Sequence, residues 1–270
     1  MWYRLVLIGG LVGGVGGGAA VAVETEQGQA PSEGAAKSAA AEKAGAIDPK
    51  ADAELHRMSD YLAGLKTFRV ETSTVDETKV NKDGQKIQTL ADSKVAIRRP
   101  GEMRIDRVSP NGRVVFRDDG KQFSVVNADK NIYATAPAPA KLDQAADDAR
   151  TQLQVDAPGV DLLASNPYDA LTDGATEGHY VGLVPMGGGM MAHHVAVTRN
   201  NGISYQIWIK DGPQPLPLRY VVTDKDKQGS PQFTIELRNW QPNAQVPDAS
   251  FAFTPPAGAK KVAFAPPSKG

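Results

Sequence analysis

Residues Val95–Asn127 read VAIRRPGEMRIDRVSPNGRVVFRDDGKQFSVVN, and this stretch decides the fold. Alternation of apolar and polar residues predicts four short strands in it: Val95–Arg98, Met103–Val108, Arg113–Arg117 and Gln122–Val126. The breaks between them are rich in Gly, Pro, Asn and Asp, which favour tight turns: Arg99–Gly101, Ser109–Gly112 and Asp118–Lys121. Strands joined by short turns run antiparallel, because parallel strands need long crossover connections. The stretch therefore predicts an antiparallel meander, and no nucleophile, metal cluster or phosphate loop lies in it.

The composition of the whole chain narrows the classes of function. At 270 residues the chain is long enough for one large all-β domain or two small ones. It contains no cysteine, which excludes disulfides, thiolate catalysis and cysteine zinc sites. A formal net charge of −1 and an aromatic content of 6% both argue against a nucleic-acid partner.

The N-terminus is typical of an exported protein. Residues 5–23 are uncharged and include an A-x-A site at Ala20–Ala22. Residues 1–22 are therefore predicted to be a cleaved signal peptide, which places the mature protein in the periplasm. A retained N-terminal membrane anchor and a misplaced start are the alternatives. The chain has no cysteine that could carry a lipid.

Composition also delimits the folded part. Residues 23–47 have almost no large apolar side chains and are predicted to be a disordered linker. A single domain is predicted over residues 48–265, followed by a disordered tail at 266–270.

Apolar periodicity predicts helices and further strands outside the meander. Ala51–Leu65 and Leu142–Val155 repeat their apolar side chains at helical spacing, and a helical turn is expected after Asn166-Pro167. Further segments with period two predict strands: Thr67–Thr74, Lys86–Leu90, Asn131–Ala134, Tyr180–Val184, His193–Thr198, Ile203–Lys210, Leu218–Val222 and Phe233–Leu237. The alternation indicates a sheet with one apolar and one polar face.

Several motifs follow one another in an order that resembles a known family. They are Met58-Ser-Asp-Tyr-Leu62, Arg99-Pro100-x-x-Met103-Arg104-x-Asp106, Asp119-Gly120-Lys121 with Phe123, Tyr133-Ala-Thr135, Pro167-Tyr168, Gln206-x-Trp208-Ile209 before Pro215-x-Pro217, and Phe251-x-Phe253-Thr-Pro-Pro256-x-Gly258. Together they resemble a bacterial family of predicted periplasmic proteins. That family is related to the lipoprotein-localisation fold of LolA and LolB and to the mycobacterial LppX and LprG type.

The resemblance implies a mainly β (α+β) fold of the LolA-like kind. It would be an incomplete antiparallel β-barrel of about ten or eleven strands, with helices plugging its concave face. In the better-known relatives of the family this concave side is a cavity that holds acyl chains.

The resemblance and the alternation together predict a hydrophobic ligand-binding wall on the concave face. The predicted wall residues are Val70, Val95, Ile97, Met103, Ile105, Phe116, Phe123, Val125, Ile207, Tyr220 and Ile235. Helices Ala51–Leu65 and Leu142–Val155 would close the space opposite them. The alternative is that the same side chains meet the helices as a filled core.

Two arginines near the Arg-Pro turn are candidates for a polar or gating role. Arg99 and Arg104 could meet a lipid phosphate or the carboxylates of a partner protein. Arg98 and Arg107 belong to the same group of charges in the sequence. The alternative is that all of them are ordinary charges of the polar face.

No catalytic or metal-binding set is predicted. His193 and His194 are neighbours on a predicted strand, so they should point to opposite faces and not share one ion. Asp118 and Asp119 precede a glycine and are interpreted as turn residues. Gly187–Gly189 lacks the Lys-Ser/Thr of a phosphate loop.

The sequence thus predicts a non-enzymatic periplasmic binder or carrier of lipid acyl chains or another hydrophobic ligand, without a cofactor. Its expected partners are a lipid or lipidated ligand and an envelope protein, with transient membrane contact and no nucleic acid; the protein is expected to be a monomer. The alternative is an envelope protein–protein interaction or stress-related module with a filled core and no ligand. A hydrolase is disfavoured because no triad or metal set is found.

Overall fold

The computed structural model describes residues 47–144 and 159–264 of the chain. The predicted signal peptide, nearly all of the predicted linker and the tail lie outside these residues. Of the predicted helix Leu142–Val155, residues 142–144 are helical and the remainder lies outside the described part.

The first helix, α1 (Pro49–Gly64), begins where the sequence predicts it. Asp48 caps it, because its Oδ1 accepts hydrogen bonds from the backbone N–H groups of Lys50 at 2.7 Å and Ala51 at 3.3 Å. Proline at the first helical position has no N–H that would need a partner. One face of α1 is fully buried, and it consists of Ala51, Leu55, Met58 and Leu62. The helix therefore packs through a single apolar stripe.

Most of the described chain forms strands. The first six are β1 (Thr67–Val80), β2 (Lys86–Arg98), β3 (Glu102–Ser109), β4 (Gly112–Asp119), β5 (Gln122–Asn127) and β6 (Ile132–Pro137). A 3₁₀ helix (Val160–Leu163) and helix α2 (Pro167–Thr172) follow. The second set is β7 (Ala175–Gly187), β8 (Met190–Arg199), β9 (Ile203–Lys210), β10 (Pro217–Asp224) and β11 (Gln232–Pro242), and after a 3₁₀ turn (Asp248–Ser250) comes β12 (Lys260–Lys261). The four strands predicted within Val95–Asn127 correspond to the end of β2 and to β3, β4 and β5.

The predicted turns of the meander are confirmed, and two of their glycines are needed for different reasons. Gly120 has a φ of 79°, a conformation that L-residues with a side chain rarely adopt. Gly101 is needed for space, since a Cβ atom there would lie 2.3 Å from the carbonyl oxygen of Ala140. The turn at Gly101 can therefore lie directly against the chain that follows β6.

All the strands belong to one sheet in the order β12-β6-β5-β4-β3-β2-β1-β11-β10-β9-β8-β7. The pairs are antiparallel except that β12 runs parallel to β6. Pairing of β1 with β11 joins the two halves of the chain, from Phe68 opposite Pro242 to Asp76 opposite Phe233. The two end strands, β12 and β7, do not pair with each other, so the sheet is open. The predicted incomplete antiparallel barrel is confirmed, with twelve strands in the described part instead of ten or eleven because the two-residue β12 is too short to be recognised in sequence.

Candidate functional site: the inner face of the sheet

One face of the sheet carries α1, and we call it the inner face. On neighbouring antiparallel strands, residues directly opposite each other point to the same face. Val70 lies opposite Val95, which lies opposite Ile105. Ile105 in turn lies opposite Phe116, and Phe116 lies opposite Val125. The register therefore places an apolar row across five consecutive strands on the inner face.

A second row runs beside the first, nearer the Arg99-Pro100 turn. Ile97 lies opposite Met103, Met103 opposite Asp118, and Asp118 opposite Phe123. The row thus contains a carboxyl group among apolar side chains. Asp118 is two residues beyond Phe116 on β4, which places it on the same face.

The other half of the sheet continues the same face. Thr74, four residues beyond Val70, lies opposite Ile235. Ile235 lies opposite Tyr220, and Tyr220 opposite Ile207. All eleven predicted wall residues consequently lie on the inner face.

Helix α1, the 3₁₀ helix and α2 together cover the inner face over β8–β11 and part of β1 and β2. The buried residues Leu55, Met58 and Leu62 of α1 form one core cluster with side chains of these strands, including five of the predicted wall residues: Val70, Ile97, Ile207, Tyr220 and Ile235. These five are at most 5% exposed. The same cluster contains Leu162 of the 3₁₀ helix and Leu171 of α2, so these five side chains contact protein.

We call the remaining six wall residues the inner patch: Val95, Met103, Ile105, Phe116, Phe123 and Val125. Two of them, Val95 and Met103, also pack against the edge of the first cluster. Phe116 and Phe123 are buried, and their ring centroids are 6.3 Å apart. The other four are only partly buried. Phe264, near the end of the described chain, stacks on Phe123 at 6.1 Å. The inner patch is thus an apolar surface that keeps partial access to solvent.

Asp118 forms a buried polar edge of the inner patch. Its side chain is fully buried, and burial raises the pKa of its carboxyl group to about 6, although a hydrogen bond from the Gly120 N–H to Oδ1 (2.8 Å) opposes the rise. Its Oδ2 has no hydrogen-bond partner among residues 47–144 and 159–264. Asp119, by contrast, accepts hydrogen bonds from the backbone N–H groups of Lys121 and Gln122. Both residues thus end strand β4 and accept hydrogen bonds from the turn that follows it, whereas the sequence places them in the turn itself. Burial of Asp118 was not predicted.

Arg99 connects the β2–β3 turn to the segment that covers the sheet. Its Nη1 donates to the carbonyl oxygen of Leu163 at 2.9 Å, at the end of the 3₁₀ helix. Burial lowers the pKa of its guanidinium, an effect that the negative charge of Asp143 partly opposes. Arg99 therefore lies between the sheet and the 3₁₀ helix.

Arg104 and Arg107 lie on opposite faces of β3. Arg104 is opposite Ala96, and Asp106 accepts hydrogen bonds from its Nε at 2.7 Å and its Nη2 at 2.8 Å, which raises the pKa of the guanidinium. It therefore belongs to the outer face and is not brought together with Arg99. Arg107 lies two residues beyond Ile105 and shares its face, as strand alternation requires. Strand alternation in the sequence alone is sufficient to separate the faces of these two arginines.

Comparison with known proteins assigns the chain to a family. Residues 51–265 match the family described as predicted periplasmic protein (DUF2092). The chain belongs to this family. The assignment confirms the resemblance found in the motifs and places this DUF2092 protein in the periplasm, as its N-terminus predicts. No curated protein is detectably similar to it in sequence.

Solved structures are similar to this DUF2092 protein at low sequence identity. Lipoprotein LppX of Mycobacterium tuberculosis has 17% identity and a TM-score of 0.46, with 74% of this chain and 98% of that one covered. LprF of Mycobacterium bovis has 18% identity and a TM-score of 0.44, with 80% and 100% covered. A LolA superfamily protein of Nitrosomonas europaea has 11% identity and a TM-score of 0.39, with 75% and 97% covered.

The two neighbouring histidines of this DUF2092 protein lie on opposite faces, as predicted. His193 is opposite Ile209 on the inner face, and its ring nitrogens contact Tyr180 Oη at 2.9 Å and Asp211 Oδ1 at 3.1 Å. His194 stacks on Trp208 on the outer face, with ring centroids 4.1 Å apart. Among the described residues no helix is both long and apolar enough to cross a membrane.

Replacing Arg99 with alanine is expected to lower the free energy of unfolding by about 1–2 kcal/mol, because the Leu163 carbonyl loses its donor in a partly buried setting. Urea unfolding measures this, and amide hydrogen exchange at residues 160–163 should become faster. Arg113→Ala is the control, since Arg113 is an exposed arginine paired with Asp129. Equal stability and equal exchange in the two variants would show that Arg99 does not hold the 3₁₀ helix.

Proposed function

We propose that this protein is a non-enzymatic periplasmic binder or carrier of lipid acyl chains or of another hydrophobic ligand, which it holds on the inner patch. One observation carries the proposal: helical segments fill the inner face over one half of the sheet, whereas four apolar side chains of the inner patch stay partly accessible on the other half. Apolar surface that is kept open on the inner side of a curved sheet is suited to an apolar guest.

The size of the inner patch supports an extended ligand. Its central row, Val95–Ile105–Phe116–Val125, crosses four adjacent strands. With strands about 4.8 Å apart, the row is about 14 Å long. Each methylene group that leaves water for such a surface contributes about 0.8 kcal/mol, so an alkyl chain lying along the row gains several kcal/mol.

Arg99 is proposed to act at the entrance to this space. Its hydrogen bond to Leu163 ties the β2–β3 turn to the 3₁₀ helix. Breaking that hydrogen bond would release the 3₁₀ helix without disturbing the strands. The proposed role is therefore gating, and Arg104 on the outer face is proposed only as a contact for an envelope partner.

A second function, an envelope interaction module with a filled core, is favoured by a different observation. The contact of α1 with the sheet is fully buried at Ala51, Leu55, Met58 and Leu62, as a permanent core would be. In this case the inner patch would be covered by protein and a partner would bind elsewhere. A pull-down that recovers one protein partner, and that is unaffected by substitutions in the inner patch, would support it.

The direct test is native mass spectrometry of the protein purified from its own periplasm, followed by extraction of bound lipid. The expected result is a co-purifying apolar molecule and saturable binding of Nile red, an uncharged apolar dye. Protein that is always empty and does not bind the dye would refute the proposal.

A matched pair of variants then locates the site. Ile105→Ser is expected to weaken Nile red binding about tenfold, because it removes apolar contact from the centre of the inner patch. Val108→Ser removes a similar side chain three residues away on the same strand, but Val108 is 56% exposed and faces outward. It should bind the dye as the wild type does. Equal affinities for both variants would place the binding site elsewhere.

A further inference from the structure

A polar row borders the inner patch on the side away from the Arg99-Pro100 turn. Ser93 lies opposite Arg107, Arg107 opposite Val114, and Val114 opposite Asn127, all on the inner face. Ser93 and Asn127 are 6% and 4% exposed. The Nδ2 of Asn127 has no hydrogen-bond partner within the described part of the chain. Buried donors without partners are uncommon unless a ligand or water meets them.

Arg107 is the positive charge of this row. Its Nη1 makes a long contact of 3.5 Å with the neutral hydroxyl of Thr74. The negative charge of Asp76 attracts the guanidinium of Arg107 and favours its charged form. Burial outweighs this attraction, so the pKa of the guanidinium is lowered. An arginine stays charged under all these conditions. The guanidinium is therefore a partly desolvated cation whose charge is incompletely balanced.

The charge at the opposite border of the inner patch has the other sign. Asp118 lies in the row beyond Ile105 and Phe116, so the two apolar residues separate it from Arg107. Above the pKa of Asp118, about 6, an anion at that border would meet a carboxylate. A ligand with one anionic end is thus repelled by Asp118 at one border of the inner patch and attracted by Arg107 at the other.

We propose that Arg107 binds the anionic head group, a carboxylate or phosphate, of a single-chain amphiphile whose alkyl chain lies on the inner patch. The planar guanidinium can donate two parallel hydrogen bonds to either group. Arg107 is only two residues from Ile105, about 7 Å along the strand, so head group and chain fit one molecule. This inference rests on the proposed function and adds the chemical class of the ligand.

The test is competition against Nile red at pH 8 by three ligands with the same sixteen-carbon chain: hexadecanoate, hexadecyl phosphate and uncharged hexadecanol. The wild-type protein is expected to bind at least one anion about 10- to 100-fold more tightly than the alcohol, the range of a charged hydrogen bond. Arg107→Gln should reduce this preference to less than about threefold, with unchanged affinity for hexadecanol. The anion that binds more tightly identifies the head group.

Two controls keep the result specific. Arg113→Gln removes the same charge from an exposed position on β4 and should keep the full preference. Arg107→Lys keeps the positive charge but cannot donate two parallel hydrogen bonds, so it should keep part of the preference for the anion. Such a partial preference would show that the loss in Arg107→Gln is not caused by misfolding. If the wild type binds acid, phosphate and alcohol equally, the head-group inference is wrong and the proposed function stands. If neither dye nor any of the three ligands binds, both are wrong.

Discussion

Asp118→Asn is expected to raise the free energy of unfolding at pH 7.5 by about 1–3 kcal/mol. The carboxyl group is fully buried and its pKa in the folded protein is about 6, compared with its ordinary value of 3.8. A difference of about two pKa units corresponds to at most about 3 kcal/mol. Asparagine keeps an oxygen that can accept the hydrogen bond from the Gly120 N–H and carries no charge to desolvate.

The sign of the pH dependence follows from the same shift. Because the folded protein binds this proton more tightly than the unfolded chain does, the contribution of Asp118 to stability is greatest below pH 4. It declines as the pH rises to about 6 and is constant above that. The difference in unfolding free energy between Asp118→Asn and wild type should therefore grow between pH 4 and pH 6.5.

Urea unfolding at a series of pH values measures this difference directly. Asp119→Asn is the control, because Asp119 is adjacent, partly exposed and fulfils its turn role through an oxygen that asparagine retains. Because both turn hydrogen bonds are kept, this variant should be about as stable as the wild type at pH 7.5. A flat difference for Asp118→Asn between pH 4 and pH 6.5 would mean that the carboxyl group is solvated in the folded protein.

Leu55→Ala is expected to destabilise the protein by about 2–5 kcal/mol. Leu55 is fully buried in the cluster that joins α1 to the sheet, and its removal leaves a cavity in addition to the lost transfer free energy. The midpoint of urea unfolding should fall at an unchanged m value. Asp60→Ala, on the exposed side of the same helix, should change stability by less than about 0.5 kcal/mol.

This second prediction also distinguishes a permanent core helix from a lid. A helix that opens to admit ligand would give a small loss of stability and rapid amide exchange throughout α1. A loss of the expected size, together with slow exchange in α1, restricts ligand entry to the other half of the sheet. A loss below about 1 kcal/mol would contradict the close packing of α1.

The meander was predictable because its signals are local. The turn residues at Gly101, Gly112 and Gly120 mark the strand ends, and the period of two between them fixes which side chains share a face. This is why the seven predicted wall residues within the meander lie on one face. The two-residue β12 had no such signal, since its pairing with β6 depends on a contact distant in sequence.

The division of the inner face into a filled and a partly open half was not predictable in the same way. Ile207 and Ile105 look alike in sequence, as each belongs to a period-two pattern of apolar residues on a strand. What distinguishes them is the position of the helical segments, which depends on packing between residues distant in sequence. The faces of the arginines, by contrast, follow from a local signal: alternation from Ile105 assigns Arg104 outward and Arg107 inward.

The central position of β1 has a consequence for how this protein is made. Its partner on one side, β2, follows within a few residues, but its partner on the other side, β11, is completed only at Pro242. A chain that emerges N-terminus first therefore exposes one edge of β1 until nearly all of it has appeared. Such an edge is a template for pairing with other chains. This topology therefore requires that the free edge of β1 be protected until residues 232–242 can pair with it.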